Sequence, residues 1–329
     1  MIAIITHNYP TDDNPVAGLF VQDHAEILRR ETGGEVEILY YPFGEYPMTK
    51  SIKKPWKWPK FIRYFWGTSK RLKADIDRMT EKNDGVRPDI IANWWFPNGT
   101  FAAEHFDNVD VICHGTDLYQ LQKFSLVARY YAKRAKKVRS WRCVSTDLKR
   151  ILLELYPFID ESIVTVSPMP IGPMFVNRSE ERDPNLIVTV GSLISRKQFD
   201  LAIKEVAKIP GMKLEIYGEG PEKMKLKDLI RNLGVTDRIA LKGQVTREQL
   251  ADRYNRATLL IMLSYGEGFG LVLKEAQACG CKTLVFKGDG MEDTEPDYAI
   301  GRDENVSERI KQAVMSTNGL PWSGGNQPD

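Results

Sequence analysis

The chain reads as an α/β protein built of two doubly wound, Rossmann-like domains facing a cleft. Short apolar runs of strand length alternate from end to end with helical segments of about 10–15 residues, the signature of parallel βαβ units. The alternation falls into two series, and a proline-rich stretch separates them. A length of 329 residues suits two cores better than one.

The first series of candidate strands is Ile2–Thr6, Val36–Tyr40, Ile90–Asn93, Val109–Cys113, Arg139–Cys143 and Ile163–Val166. The second is Leu186–Val190, Lys213–Tyr217, Ile239–Lys242, Leu259–Leu263 and Thr283–Phe286. Between them, Ser167-Pro-Met-Pro-Ile-Gly-Pro173 through Pro184 holds too many prolines for a helix or a central strand. The expected organisation is a first domain over 1–170, a linker over 171–184, a second domain over 185–315 and a flexible tail over 316–329, which is rich in Gly, Asn and Pro. Ligands of open α/β sheets bind beyond the carboxyl ends of the strands, so the cleft between the domains is the expected site.

Composition is that of an ordinary soluble protein, 42% hydrophobic and 27% charged. A formal charge of +2 excludes neither nucleic acid nor membrane, because distribution matters more than the sum. Met1-Ile-Ala-Ile-Ile-Thr6 is too short an apolar run for a signal peptide. No window approaches the roughly 20 apolar residues that cross a bilayer. Cys113, Cys143, Cys279 and Cys281 lack zinc spacing and are expected to be reduced and buried. The expected location is the cytoplasm.

The most informative segment is Ser264-Tyr-Gly-Glu-Gly-Phe-Gly-Leu-Val-Leu-Lys-Glu-Ala276. A strand precedes it, and a helix over Leu271–Ala278 follows the turn formed around Gly266, Gly268 and Gly270. Such a turn leaves backbone N–H groups bare at a helix N-terminus, where the dipole favours an anion. Glu267 lies in the turn and Glu275 in the helix. That layout suits a ligand with a central diphosphate and hydroxyl-bearing sugars at both ends, the shape of a nucleotide sugar.

Several motifs occur together and in order. They are His7-Asn-Tyr-Pro10 with Gly18-Leu-Phe-Val21, Trp95-Phe-Pro-Asn-Gly99, His114-Gly-Thr-Asp117, Val190-Gly-Ser-Leu-Ile-Ser-Arg-Lys197, Ile216-Tyr-Gly-Glu-Gly-Pro221, Lys242-Gly-Gln-Val245, the two-glutamate turn and Ala276-Gln-Ala-Cys-Gly280. Over residues 1–315 the chain resembles the retaining glycosyltransferases of the two-Rossmann (GT-B) type in the fourth glycosyltransferase family, glycosyl transferases group 1. It departs from them at Ser192, where many relatives carry Arg, and at Met169-Pro-Ile-Gly172, which stands in place of an Asn-Gly before the linker.

The resemblance implies a nucleotide-sugar-dependent hexosyltransferase, an enzyme with His114 and Glu267 as its catalytic residues. Donor binding falls to Gly18, Arg196, Lys197, Gly268, Phe269, Gly270, Leu271 and Glu275. Glu275 is implied to hold the ribose hydroxyls and Glu267 the donor sugar. His114 is implied to lie near the transferred sugar, holding it or polarising a hydroxyl rather than acting as nucleophile. Each residue also has an ordinary reading: a solvated surface lysine, a dipole-stabilised carboxylate on a helix, a satisfied structural histidine. Asp117 reads as the cap of the following helix. No cofactor or essential metal is expected, since Asp75-Ile-Asp77 lies in a helical segment where residues two apart do not face each other. Gly218-Glu-Gly220 lacks the third glycine of a dinucleotide fingerprint, and Pro221 is expected at the first position of a helix.

From Lys50 to Lys73 basic residues run without one acidic residue, interleaved with Trp56, Trp58, Phe61, Tyr64, Phe65 and Trp66. A second basic run spans Lys123 to Arg150. A solvated charged face is one reading. The leading functional one is an anionic membrane surface, reached through 50–73 as a peripheral protein on its inner face, with a glycan, lipid-linked or polymer acceptor. Nucleic acid ranks second, by phosphate contacts and stacking, which leaves transfer to modified DNA as an alternative. A catalytically inactive nucleotide-sugar-binding protein of the same fold is another.

Overall fold

A computed structural model describes residues 1–12, 17–42, 58–288 and 290–317, with the side chains at 58–62 outside the description. The chain divides into two units, Met1–Pro170 and Ile171–Asp329. Lys50, Lys53, Lys54, Trp56 and Lys57 of the basic segment and residues 318–329 of the tail lie outside the described residues.

The first unit runs β1 (Ile2–Thr6), α1 (Leu19–Thr32), β2 (Val36–Tyr40), α2 (Trp58–Lys82), β3 (Asp89–Asn93), α3 (Thr100–His105), β4 (Val109–Cys113), α4 (Thr116–Lys123), α5 (Ser125–Ala135), β5 (Val138–Cys143), α6 (Thr146–Leu155) and β6 (Val164–Val166). Its six strands are parallel in the order β2-β1-β3-β4-β5-β6. The helices form where apolar spacing demands it: Leu72, Ile76 and Met79 bury one stripe of α2. Ser145 caps α6 by accepting from the Leu148 N–H.

The second unit runs β7 (Asp183–Val190), α7 (Phe199–Ala207), β8 (Lys213–Tyr217), α8 (Lys223–Asn232), β9 (Ile239–Gly243), α9 (Arg247–Arg256), β10 (Ala257–Met262), α10 (Leu271–Ala278), β11 (Lys282–Phe286), β12 (Tyr298–Ile300) and α11 (Val306–Thr317). Its strand order is β12-β11-β10-β7-β8-β9, again parallel. All six residues of β10 are buried, as expected of a central parallel strand covered on both faces. One face carries Ile203, Val206, Leu226, Ile230 and Ile310 from α7, α8 and α11. The other carries Leu250, Tyr254, Leu273 and Ala276 from α9 and α10.

Three expectations are adjusted. Strand β7 begins at Asp183, inside the stretch read as linker, because Asp183 pairs with Ala257 and its carbonyl accepts from the Thr258 hydroxyl. Strand β12 is only three residues long, too short to show a period. Pro221 precedes α8 rather than opening it: Glu222 is the cap, and its N–H donates to the Leu193 carbonyl.

In each sheet the strand order reverses once, between β1 and β3 in the first and between β7 and β10 in the second. At such a point successive connections leave to opposite sides, and the loops part to open a crevice.

Candidate functional site

In the second unit the crevice lies where β7 and β10 end. The turn after β7 carries Arg196 and Lys197, and the turn after β10 carries Glu267. Lys197 closes a single helical turn, Ser195–Lys197, and Gln198 then holds the cap position before α7. The Lys197 ammonium lies 2.8 Å and the Arg196 guanidinium 3.0 Å from the same Glu267 oxygen. Arg196 also donates to the carbonyls of Tyr265 and Gly266, while the Tyr265 N–H donates back to the Arg196 carbonyl at 3.0 Å. The two turns are thereby stitched together. Burial pushes the Glu267 carboxyl up, but Lys197 and Arg196 outweigh it and hold the group below its ordinary value. It is a carboxylate at neutral pH, beside one more positive charge than it neutralises.

The turn after β8 supports this pair. A Cβ on Gly218, at φ +133°, would meet the Gly191 carbonyl oxygen at 2.0 Å, so only glycine lets the two turns cross. A Cβ on Gly191, at φ +150°, would come within 3.4 Å of the Lys197 side chain. Gly268 and Phe269 lead to Gly270, which opens α10 in the left-handed conformation without a side-chain cap. Leu271 is the first helical residue, and the first N–H groups of a helix have no partner within it. Glu275 is buried on this helix, with Arg247 of α9 3.9 Å away. The Arg247 guanidinium stacks over Phe175 at 5.4 Å.

Two arginines here went unread in the sequence. Arg247 is the first helical residue inside the Thr246–Gln249 capping box, which was a legible helix start. Arg302 lies 3.6 Å over the Tyr265 ring and 4.3 Å over Phe286, and it donates to the Ser264 carbonyl. It braces the glutamate turn from the side.

In the first unit the crevice gathers His7 after β1, Asn93 and Trp94 at the end of β3, and His114 after β4. His114 Nε2 lies 2.8 Å from Asn93 Oδ1. The Trp94 ring is 4.3 Å from His7 and 4.4 Å from His114, and Phe20 is 5.0 Å from His114. Burial, with His7, Arg142 and His24 nearby, drives the His114 imidazole down to about 3. Burial lowers His7 to about 4, and lowers His24 to about 4 with help from Arg142. All three rings are neutral at pH 7. Gly18, at φ +60°, opens α1, and a Cβ there would meet the Asn8 carbonyl oxygen at 2.1 Å. The close approach that requires this glycine is therefore to the chain's own loop.

Asp117 does not cap α4. Gly115 holds that position, and the buried Asp117 carboxylate accepts from the N–H groups of Trp95 at 2.7 Å and Gly115 at 3.0 Å. Burial nevertheless raises it to about 6. Asp75 and Asp77 lie on α2 and pair with Arg78 and Lys73 respectively. Among the described residues no group of three or more His, Cys, Asp or Glu could hold a metal ion, and no helix is long and apolar enough to cross a membrane. The four cysteines are free and buried.

Residues 174–314 match the family described as glycosyl transferases group 1. The chain is 36% identical over 115 residues to a D-inositol 3-phosphate glycosyltransferase of Mycobacteroides abscessus, covering 33% of this chain and 26% of that protein. It is 26% identical over 261 residues to the GtfA subunit of a UDP-N-acetylglucosamine–peptide N-acetylglucosaminyltransferase of Limosilactobacillus reuteri, covering 74% and 47%. The chain thus spans less than half the length of either relative. Among solved structures, sucrose-phosphate synthase from Thermosynechococcus elongatus superimposes with a TM-score of 0.72 at 17% identity, covering 96% of this chain and 90% of that one. That likeness gives the fold, two Rossmann-like domains of the GT-B type.

Proposed function

We propose that this chain, whose residues 174–314 belong to the glycosyl transferases of group 1, is a retaining enzyme that moves a sugar from a nucleotide-diphosphate sugar to a hydroxyl of a glycan, lipid-linked or polymer acceptor. One observation carries the reading. At the β7/β10 crevice two cations, a glycine turn and an uncapped helix N-terminus converge, with a buried carboxylate on either side of that turn.

The chemistry follows from charge. As the bond between the anomeric carbon and the diphosphate oxygen breaks, its electron pair stays on the phosphate. Lys197, Arg196 and the N–H groups of Phe269, Gly270 and Leu271 are assigned to that developing charge, in a crevice where such donors act most strongly. Glu275 takes the ribose hydroxyls. Glu267 and the backbone at Gly268 take the donor sugar. Gly18 is assigned to donor binding through the loop it shapes after β1, and His114, neutral and aromatic-boxed, orients a hydroxyl. With Lys197 and Arg196 supplying positive charge, the reaction runs without an essential metal, and turnover is expected to survive excess chelator.

The first unit supports an anionic membrane surface as the place where the acceptor is met, with the protein peripheral on its cytoplasmic face. Trp66 of α2 is 58% exposed, and Leu126 and Tyr130 of α5 are 77% and 62% exposed. Arg63 and Lys70 share α2 with Trp66, Arg129 and Lys133 share α5 with Leu126 and Tyr130, and all four are exposed. The two helices adjoin through Phe65 and Tyr131, whose ring centroids are 6.5 Å apart. Aromatic residues set among lysines and arginines suit a headgroup layer.

The test is Glu275→Ala, which is expected to abolish hydrolysis and transfer of nucleotide sugars while thermal unfolding stays cooperative. Wild-type turnover by that variant would remove the site assignment. A thermal-shift panel of nucleotide sugars identifies the donor, because a ligand selective for the native state raises its stability.

A further inference from the structure

We propose that Asn93 is the positioning residue of the first unit: it fixes His114 as the Nε2–H tautomer, so that the Nδ1 lone pair receives a substrate hydroxyl. This rests on the reading that His114 meets substrate.

A neutral imidazole has one donor and one acceptor nitrogen, and the partner of one decides the role of the other. In this structure the partner of Nε2 is a carbonyl oxygen, Asn93 Oδ1 at 2.8 Å, which can only accept. The proton is therefore on Nε2, and Nδ1 is bare. Asn93 is fully buried at the end of a central strand, and its backbone carbonyl is gripped at 2.7 Å by the Asn98 amide. The same Asn98 amide nitrogen lies 3.1 Å from His7 Nδ1, so His7 also carries its proton on Nε2. One carboxamide pair thus sets both rings at the β1/β3 crevice.

Two buried atoms of this pair, Asn93 Nδ2 and Asn98 Oδ1, have no hydrogen-bond partner among the described residues. A buried polar atom left so costs about 1–3 kcal/mol. The acceptor at His114 Nδ1 selects a group that can donate: a sugar-type hydroxyl does, whereas a carboxylate or phosphate at neutral pH has acceptors only. The charged and titratable groups around His114 are His7 on the β1 loop, His24 on α1, Arg142 on β5 and Asp117 on α4. Arg142 is engaged by the Ser167 and Pro168 carbonyls, and Asp117 by backbone N–H groups. None supplies a negative charge aimed at the His114 ring, so the ring stays neutral and orients a hydroxyl without removing its proton.

The experiment is nitrogen-15 NMR of the full chain labelled at histidine. Its four histidines (His7, His24, His105 and His114) are assigned by single glutamine variants. His114 is expected to be neutral and Nε2-protonated from pH 5.5 to 8. An Nδ1–H ring, or an Nε2–H ring that persists in Asn93→Leu, overturns the inference. In Asn93→Leu turnover is expected to fall roughly 10- to 100-fold, by analogy with metal-bound histidines that lose their orienting partner, with the KM for the nucleotide donor unchanged. Loss of the tautomer with undiminished turnover supports the positioning and removes His114 from the proposed reaction, so the two failures are distinguishable. Should Asn93→Leu fail to fold, the isosteric Asn93→Asp keeps an oxygen in place and adds charge. His114 then titrates higher, and the pH–rate profile gains an acid limb; a profile identical to wild type overturns the inference.

Discussion

The ammonium of Lys197 and the carboxylate of Glu267 lie 2.8 Å apart, one from each turn of the second crevice. Both side chains are largely buried, at 15% and 10% exposure, so the pair is shielded from the screening that makes surface pairs nearly worthless. Arg196 shares the same oxygen but is more exposed, at 38%. Lys197 is thus the better placed of the two cations to meet an incoming phosphate without losing its carboxylate.

Lys197→Ala is expected to weaken nucleoside-diphosphate binding roughly 10- to 100-fold, from about 1.5–3 kcal/mol for a charged hydrogen bond. It also removes one of the two cations paired with Glu267, which lowers stability by about 1–3 kcal/mol. Titration calorimetry and thermal unfolding read the two effects. Unchanged affinity for the diphosphate would refute the phosphate role. Because Glu267 sits below its unfolded value of 4.5, its contribution is fully present above pH 4.5 and fades as pH falls through the folded value.

Acid should unfold the first unit early. His7, His24 and His114 fall from 6.5 to about 4, 4 and 3 on folding. Depressed histidines bind fewer protons folded than unfolded, so stability is present above pH 6.5 and is lost as pH falls toward 4. Asp117, raised from 3.8 to about 6, acts oppositely, adding stability below 3.8 that is lost as pH rises through 6. Near pH 5 the balance is roughly two protons, about 2–3 kcal/mol per pH unit. Tryptophan fluorescence reports this unit, since Trp94, Trp95 and Trp141 are buried in it. A urea midpoint equal at pH 5 and pH 7 would contradict the assignment.

Gly218→Ala forces a Cβ against the Gly191 carbonyl at a backbone angle that side chains avoid. The expected cost is about 2–5 kcal/mol from strain and overpacking together. Differential scanning calorimetry should record a lower transition for the second unit. A variant as stable as wild type would mean that the crossing turns relax freely.

For the basic face, flotation with anionic vesicles is expected to carry the full chain upward at low salt. Lys70→Glu swings two charges and should weaken binding by about 2 kcal/mol, roughly thirtyfold. Trp66→Ala should weaken it as well, with less dependence on salt. Retention of duplex DNA with no flotation would favour the nucleic-acid reading, and binding to neither surface would leave a solvated charged face.

Much of this was legible in the sequence because it is local. Most strands announce themselves as apolar runs, and the glutamate turn is one continuous segment. Partnerships between distant segments were not legible. Arg247 meets Glu275 only because α9 and α10 cover the same face of the sheet. Asn93 meets His114 only because β3 and β4 are neighbours. Asp117 looked like a cap because Asp near a helix start usually is one. The glycine before the helix took that place, and the carboxylate turned to the Trp95 N–H instead.

The burial of the four cysteines has a practical side. Burial pushes the Cys113 thiol well up, Cys279 to about 11 and Cys281 to about 12. Only a thiolate reacts quickly with maleimides or spin-label reagents. The native chain should therefore offer little background to such reagents at neutral pH. A single cysteine introduced on an exposed face, such as Leu126→Cys, becomes an addressable point for a fluorophore or spin label, with the wild-type sequence otherwise intact.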